Sequence, residues 1–399
     1  MEVQRQRFSW PLFLSPFISR LGDSLYVFGL NWFVVKATGT ASMLGMVQGI
    51  GGIVLMVGDI MAGPLVDGYN RKWIMAMSDL ISFIACAILA TIVNVNNPEF
   101  YQLVLLTCIM DIGWAFNYPA AKAIIPEVIT PQYLEGFNAY SNTAFNLANV
   151  IAPLIGGVLL TISWIDFRTF LWINAGSFLL SLVLTISLRY HPIQNDRPSL
   201  SIWESLKEGF QYIWQKKILA LLVAIDATVN FFYAGVNLLL PYDVNHYYNG
   251  NEKYYSYVLS LLAVGGLIGG LTLVHTHSKV KIQKILIDIL SLGIVMIVGG
   301  LWISYPVLLV VGALFGFYIS RIGVRLMTMV QNRTEIAYLG RVFGIWFLSV
   351  DSMQPIGDFV FGFVIDWFKH QTFFILGAIL LISVVLIAVI LRRHRSAAV

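Results

Sequence analysis

Ionisable side chains stand inside stretches that are otherwise apolar for long enough to cross a bilayer: Arg20 with Asp23, Asp111, Asp226, Arg321 with Arg325, and Asp351 with Asp358. A charge at that depth costs roughly 3 kcal/mol or more unless it meets a partner or water, so a chain that keeps this many puts them to use. The chemistry open to them is the loading and release of protons beside a hydrated route for a solute. Burial favours a neutral acid and a nearby guanidinium favours the carboxylate, so movement of water or of an arginine changes proton occupancy. Asp23 ranks first as a proton-coupling group, with Arg20 one turn away, followed by Asp226 and then Asp111. The competing reading of Asp23 is a permanent ion pair with Arg20, which need not add stability.

Helical spacing gathers further polar and aromatic residues into stripes. Asp226, Asn230, Tyr233 and Asn237 keep one face, and Arg321, Arg325 and Thr328 do the same with Phe317 close by. Tyr26, Asn31 and Trp32 continue from Arg20 and Asp23, while Asp111 is followed by Trp114 and Tyr118. Asn142, Asn146 and Asn149 form one more set, and Asp351, Gln354 and Asp358 another. A lone Asn in a membrane helix is as often glue between helices as a ligand contact, but repetition on several segments favours a wet cavity. The rings offer contact area to an apolar solute and can attract cations, whereas the charges and asparagines suit a more polar one.

The elements that must position these residues follow from composition. With 58% hydrophobic and 12% charged residues, the chain is far from the soluble balance of about a quarter charged. Twelve apolar stretches, from 10–36 to 372–391, each approach the ~20 residues of a helical crossing. The fold class is therefore all-α and integral to a membrane. The first stretch is too long for a signal-peptide core and lacks a small-residue cleavage site, which predicts a retained helix. If the N-terminus is cytoplasmic, eighteen of the 25 Lys and Arg fall on inside segments and four outside, so both termini are expected in the cytoplasm. Those basic loops face anionic lipid, and the net charge of +4 gives no support for nucleic-acid binding. Cys86 and Cys108 lie in apolar stretches and are expected as free thiols.

The longest polar stretch divides six segments from six, giving an expected N-terminal bundle at 1–190, a cytoplasmic linker at 191–217 and a C-terminal bundle at 218–399. Within the linker, Ile202, Leu206 and Phe210 share a face, as in an amphipathic helix on the membrane surface. At an offset of 205 residues, Tyr133-Leu134 falls on Tyr338-Leu339 and Gly157 on Gly362. This faint repeat fits two pseudo-symmetric halves with solute bound near the midplane.

Between the second and third segments, Gly63-Pro64-Leu65-Val66-Asp67-Gly68-Tyr69-Asn70-Arg71-Lys72 resembles the cytoplasmic loop signature of the major facilitator superfamily. Gly63 would allow close helix approach, and Asp67 with Arg71 would make a charge-assisted latch. Ala152-Pro153-Leu154-Ile155-Gly156-Gly157 is similar to the Gly-Pro-x-x-Gly-Gly element of antiporters in that superfamily, with Ala152 replacing the first Gly. Ser19-Arg20-Leu21-Gly22-Asp23, Pro119 to Glu127, Tyr133 to Asn138 and Tyr338 to Gly344 resemble the bacterial branch containing macrolide-efflux and enterobactin-exporter proteins.

That resemblance implies the major facilitator fold, with segments one, four, seven and ten around a central cavity, and proton-coupled export by alternating access. It also implies a bacterial inner-membrane location, drug-like amphipathic cargo and a monomer; Gly63, Asp67, Arg71, Pro153, Gly156 and Gly157 take gating roles. A siderophore, lipid-like molecule or other endogenous metabolite is the alternative cargo. One departure is the fourth segment, where Asp111-Ile112-Gly113 stands in place of an Arg ahead of a Gly. A swapped arrangement, with Asp111 facing Arg321 and Arg325, is the expected compensation. The sequence contains no Gly-x-x-x-x-Gly-Lys-Ser/Thr loop for ATP, and His275-Thr276-His277 is a weak metal signal in a positive loop. The six His lie near loops or ends. No enzyme activity, metal or cofactor is expected, and a channel is disfavoured by the repeat.

Overall fold

The computed structural model describes residues 6–95, 98–190, 202–248, 250–274, 281–335 and 338–396. Among them the chain is helical throughout, and contacts divide it into two compact units, Met1–Ile202 and Trp203–Val399. The first unit holds α1 (Trp10–Thr38), α2 (Ala41–Gly68), α3 (Arg71–Ile92), α4 (Phe100–Val128), α5 (Leu134–Thr161) and α6 (Phe167–Ser187). After the linker helix α7 (Ile202–Gln215), the second holds α8 (Lys217–Tyr247), α9 (Glu252–Val274), α10 (Ile282–Leu301), α11 (Tyr305–Arg333), α12 (Leu339–Phe368) and α13 (Thr372–Ser396).

Helix is the required solution for these segments, because hydrocarbon offers no partner to a backbone N–H or C=O. Ten stretches qualify as spans by length and hydropathy. One of them, Arg341–Val385, takes in both α12 and α13, while α1, which carries Arg20, Asp23 and Lys36, is not among the ten. The fold is therefore a twelve-helix membrane bundle with α7 as an addition. Local chemistry sets the ends: Gly39 closes α1 in the left-handed region, and the side chains of Asn70 and Asp166 cap α3 and α6 by accepting backbone N–H bonds.

The two units repeat one set of helix pairings. Pairs α1 with α5, α2 with α4, α3 with α4 and α3 with α6 recur as α8 with α12, α9 with α11, α10 with α11 and α10 with α13. The faint sequence repeat lands on this symmetry: Tyr133 caps α5 at φ −107°, ψ −2°, and Tyr338 caps α12 at φ −107°, ψ −5°. In the second unit α9 and α11 touch backbone to backbone, because any side chain at Gly265, Gly269 or Gly316 would strike the opposite main chain.

The expected amphipathic helix is present in the described part, although residues 191–201 lie outside it. One side of it packs on its own unit. Gly209, Tyr212 and Ile213 are buried, with Gly209 against the backbone of Arg341 and Tyr212 stacked on Tyr338 at 4.3 Å, whereas Phe210 is 55% exposed. Phe210 lies on the uncovered side, Leu206 is partly buried, and the side-chain surroundings of Ile202 are not among those described.

Candidate functional site

Three helices of the first unit build an aromatic pocket around Arg20. From α1, the Arg20 Nε donates to Asn149 Oδ1 on α5 at 2.9 Å, an oxygen that also accepts from Ser24 Oγ at 3.0 Å. The guanidinium lies 4.3 Å from the Trp114 ring centroid on α4 and 4.8 Å from that of Phe145 on α5. Such contacts are worth about 0.5–2 kcal/mol each and grow with desolvation. Trp114 stacks on Tyr118 one turn along at 5.1 Å, and Phe145 leans on both rings at 5.7 and 5.2 Å. Lys122 extends the site, donating to Asn142 at 2.5 Å and lying 5.6 Å over Tyr118. Phe13, Phe17 and Asn117 line the same pocket, whose charged lining residues are Arg20 and Lys122.

One carboxylate lies close to Arg20. Asp23 lies within electrostatic reach of Arg20, Asp79 and Asp111, and Gly51 of α2 leaves the room that the Asp111 carboxylate occupies. Of the residues the spacing picked out, Arg20, Trp114, Tyr118, Asn142 and Asn149 meet in this pocket and Asp23 lies within electrostatic reach of Arg20, while Asp111 turns to α2. Asn146 lies on α5 and is exposed. Tyr26, Asn31 and Trp32 are placed differently. Tyr26 Oη bonds Thr107 at 2.8 Å, Asn31 accepts from Gln48 at 2.6 Å, and Trp32 is 2% exposed, so they tie helices together inside the unit.

In the second unit Asp226 is buried, and Asn230 bonds its backbone carbonyl at 3.0 Å rather than its carboxylate. Tyr233 packs on Phe315 at 6.0 Å, and Asn237 is partly buried on the same helix. On α12, Asp351 is partly buried, Gln354 exposed and Asp358 buried. The arginines correct the expectation made for them: Arg321 and Arg325 turn to Asp288 on α10, a carboxylate that spacing had left unassigned. Arg321 Nε lies 3.3 Å from Asp288 Oδ1 and its Nη1 donates to Thr272 at 2.7 Å. Arg325 binds Asp288 Oδ2 and the Lys284 carbonyl, while Phe317 packs 5.2 Å under Arg321.

The basic pair of the α2–α3 loop is also spoken for. Arg71 pairs with Glu127 of α4, which accepts from Tyr190 Oη at 2.5 Å. Burial first, and the Glu127 carboxylate second, push the Tyr190 phenol above its ordinary pKa. Lys72 donates to the carbonyls of Ile186 and Leu188 at the end of α6, at 2.7 and 2.8 Å. The expected partner Asp67, like Gly63, belongs to residues whose side-chain surroundings are not described. Further along, Pro153 and Gly157 are buried on α5, and Phe28 of α1 fills the space a side chain at Gly156 would need.

Besides Asp288, two more buried acids escaped the spacing argument. Asp79, 1% exposed, accepts from Ser19 at 2.8 Å, Ser181 at 2.6 Å and Asn117 at 3.1 Å. Asp243 bonds His370. The available signal for Asp79 was the serine and threonine pairs Ser15/Ser19 and Ser181/Thr185, each four residues apart on one face.

The Major Facilitator Superfamily model matches residues 12–357. The chain belongs to that superfamily. Among its relatives, Macrolide efflux protein A of Streptococcus pyogenes is 24% identical over 386 residues, covering 95% of this chain and 94% of that protein. The multidrug efflux pump Tap of Mycolicibacterium fortuitum is 26% identical over 389 residues, covering 94% and 93%. In fold, the nucleoside transporter NupG superposes with a TM-score of 0.75 at 14% identity, over 96% of this chain and 98% of that one. Superfamily membership makes this chain a multi-pass membrane transporter of small molecules, not an enzyme.

Proposed function

We propose that the protein is a proton-coupled exporter of amphipathic, drug-like molecules, working by alternating access in a bacterial inner membrane as a monomer with both termini cytoplasmic. In this reading residues 1–190 and 218–399 are its two halves and 191–217 its linker. The observation that carries it is Arg20, held over Trp114 and Phe145 within electrostatic reach of Asp23. Rings supply contact area for an apolar solute, and Arg20 is positioned to sense both the solute and the proton state of Asp23. Both efflux relatives support the direction of transport and the class of cargo. The second reading, an endogenous metabolite, draws on the pocket lining: its charged residues are two cations, Arg20 and Lys122, which favour polar or acidic groups on the solute.

The test is transport in proteoliposomes with an imposed pH difference, using erythromycin and ethidium as probes. Efflux that stops when nigericin collapses the pH difference, and that Asp23→Asn lowers by about tenfold or more, is the expected result. Efflux indifferent to the gradient contradicts coupling, and full gradient-driven efflux by Asp23→Asn removes Asp23 from the role.

A further inference from the structure

The far end of the second unit contains a buried acid–base pair that the transport reading above does not use. Asp243, fully buried near the C-terminal end of α8, receives His370 Nδ1 at 2.5 Å from the turn joining α12 to α13. His370 is itself 3% exposed. Asp243 Oδ1, His370 Nε2 and the hydroxyl of neighbouring Thr372 have no hydrogen-bond partner among the described residues. A buried polar atom left bare costs about 1–3 kcal/mol, so three together mark a place built for something more than packing.

Backbone geometry adds an independent sign. Lys369, just before the histidine, has φ 52° and is the one non-glycine residue with positive φ among those described. Strain of this kind persists where the surroundings need a side chain held in place. Tyr247 and Phe373 close over the imidazole at ring distances of 5.5 and 5.7 Å.

We propose that Asp243 and His370 form a one-proton binding site at the end of the second unit where α8 finishes. With one proton the pair carries no net charge, whereas without it a lone negative charge sits buried in a low-dielectric setting. The other ionisable groups around it are His246, Tyr242, Tyr247 and Tyr248 along α8 and just past its end, with Asp366 and Lys369 from the end of α12. The N-terminal ends of α9 and α11, which also pack on α8, add Glu252, Lys253, Tyr254, Tyr255 and Tyr305, whereas the adjoining ends of α10 and α13 bring none. In the orientation proposed above, this end faces outside, so the side assigned rests on that reading while the site itself does not.

Two measurements on the full chain test it. In lipid nanodiscs with ¹⁵N-labelled histidine, the resonance that His370→Gln removes should change protonation state in a pH titration, and Asp243→Asn should displace that change. In proteoliposomes, ethidium counterflow needs no net gradient and so is independent of proton coupling. Its rate should vary about threefold or more with pH on the α8 C-terminal side, and His370→Gln should flatten that profile. A His370 resonance that keeps one state across the range or ignores Asp243→Asn overturns the proposal, as does an unchanged counterflow profile in His370→Gln. Failure of export alone leaves the resonance measurement decisive.

Discussion

Asp79 illustrates how a buried carboxyl group is satisfied in the bundle without a cation. Four helices converge on its carboxylate, with Ser19 from α1, Asn117 from α4 and Ser181 from α6 donating to it from α3's flanks, and Ser15 bonding Ser181 in turn at 3.1 Å. No cationic partner touches it among the described residues. Removing the acceptor strands three donors, so Asp79→Ala should destabilise the chain by about 1–3 kcal/mol in denaturant unfolding, and Asp79→Asn, which keeps one acceptor oxygen, by clearly less. Equal losses for the two variants would mean that the hydrogen bonds are not what holds this region. Asp79, Asp288 and Asp243 were hidden from the sequence for a common reason. Periodicity shows which residues of one helix share a face, whereas the partners of these acids lie 33 to 127 positions away on other helices. The Arg20 pocket was more legible because its members are one or two turns apart on each contributing helix.

At the scale of elements, span lengths were readable because hydrocarbon thickness acts directly on sequence. The docking face of α7 was not, since a helix with apolar residues on two sides leaves the choice to its neighbours. The tie at its end is polar. Lys216 Nζ lies 2.9 Å from Glu335 Oε1 and 2.5 Å from Tyr212 Oη, which accepts from the Glu335 backbone N–H at 3.0 Å. The bond from Lys216 holds the Glu335 carboxyl below its ordinary pKa, and the Tyr212 oxygen, then Glu335, hold Lys216 above its own. The Glu335 contribution is thus complete above about pH 4.3 and fades as pH falls, while that of Lys216 is complete below about pH 10.4 and fades as pH rises. Hydrogen exchange of α7 amides, corrected for the intrinsic pH dependence of exchange, should be slowest between those limits. Glu335→Gln should speed it at neutral pH and remove the acid-side change. An acid-side change that survives Glu335→Gln would assign it to another group.

For the whole molecule, orientation is a question of where charge crosses the bilayer. Eighteen basic residues fall on one set of loops and four on the other, and moving a single Lys or Arg to the bilayer centre costs roughly 3 kcal/mol, so the inverted arrangement carries a large penalty during insertion. Helix geometry makes the alternatives exclusive. Lys207 on α7 precedes α8 and Lys253 opens α9 after it, both are exposed, and one crossing of 31 residues separates their loops. Cys86 is buried and Cys108 partly so, and replacing both by Ser or Ala leaves a background for single thiols. With a membrane-impermeant maleimide on intact cells, Lys253→Cys should label at once, and Lys207→Cys only after the membrane is opened. The reverse pattern would turn the protein over and place the Asp243–His370 pair at the cytoplasmic face. The same labels therefore decide which aqueous compartment sets the protonation of that pair, because the pair lies at the end of α8 nearer Lys253.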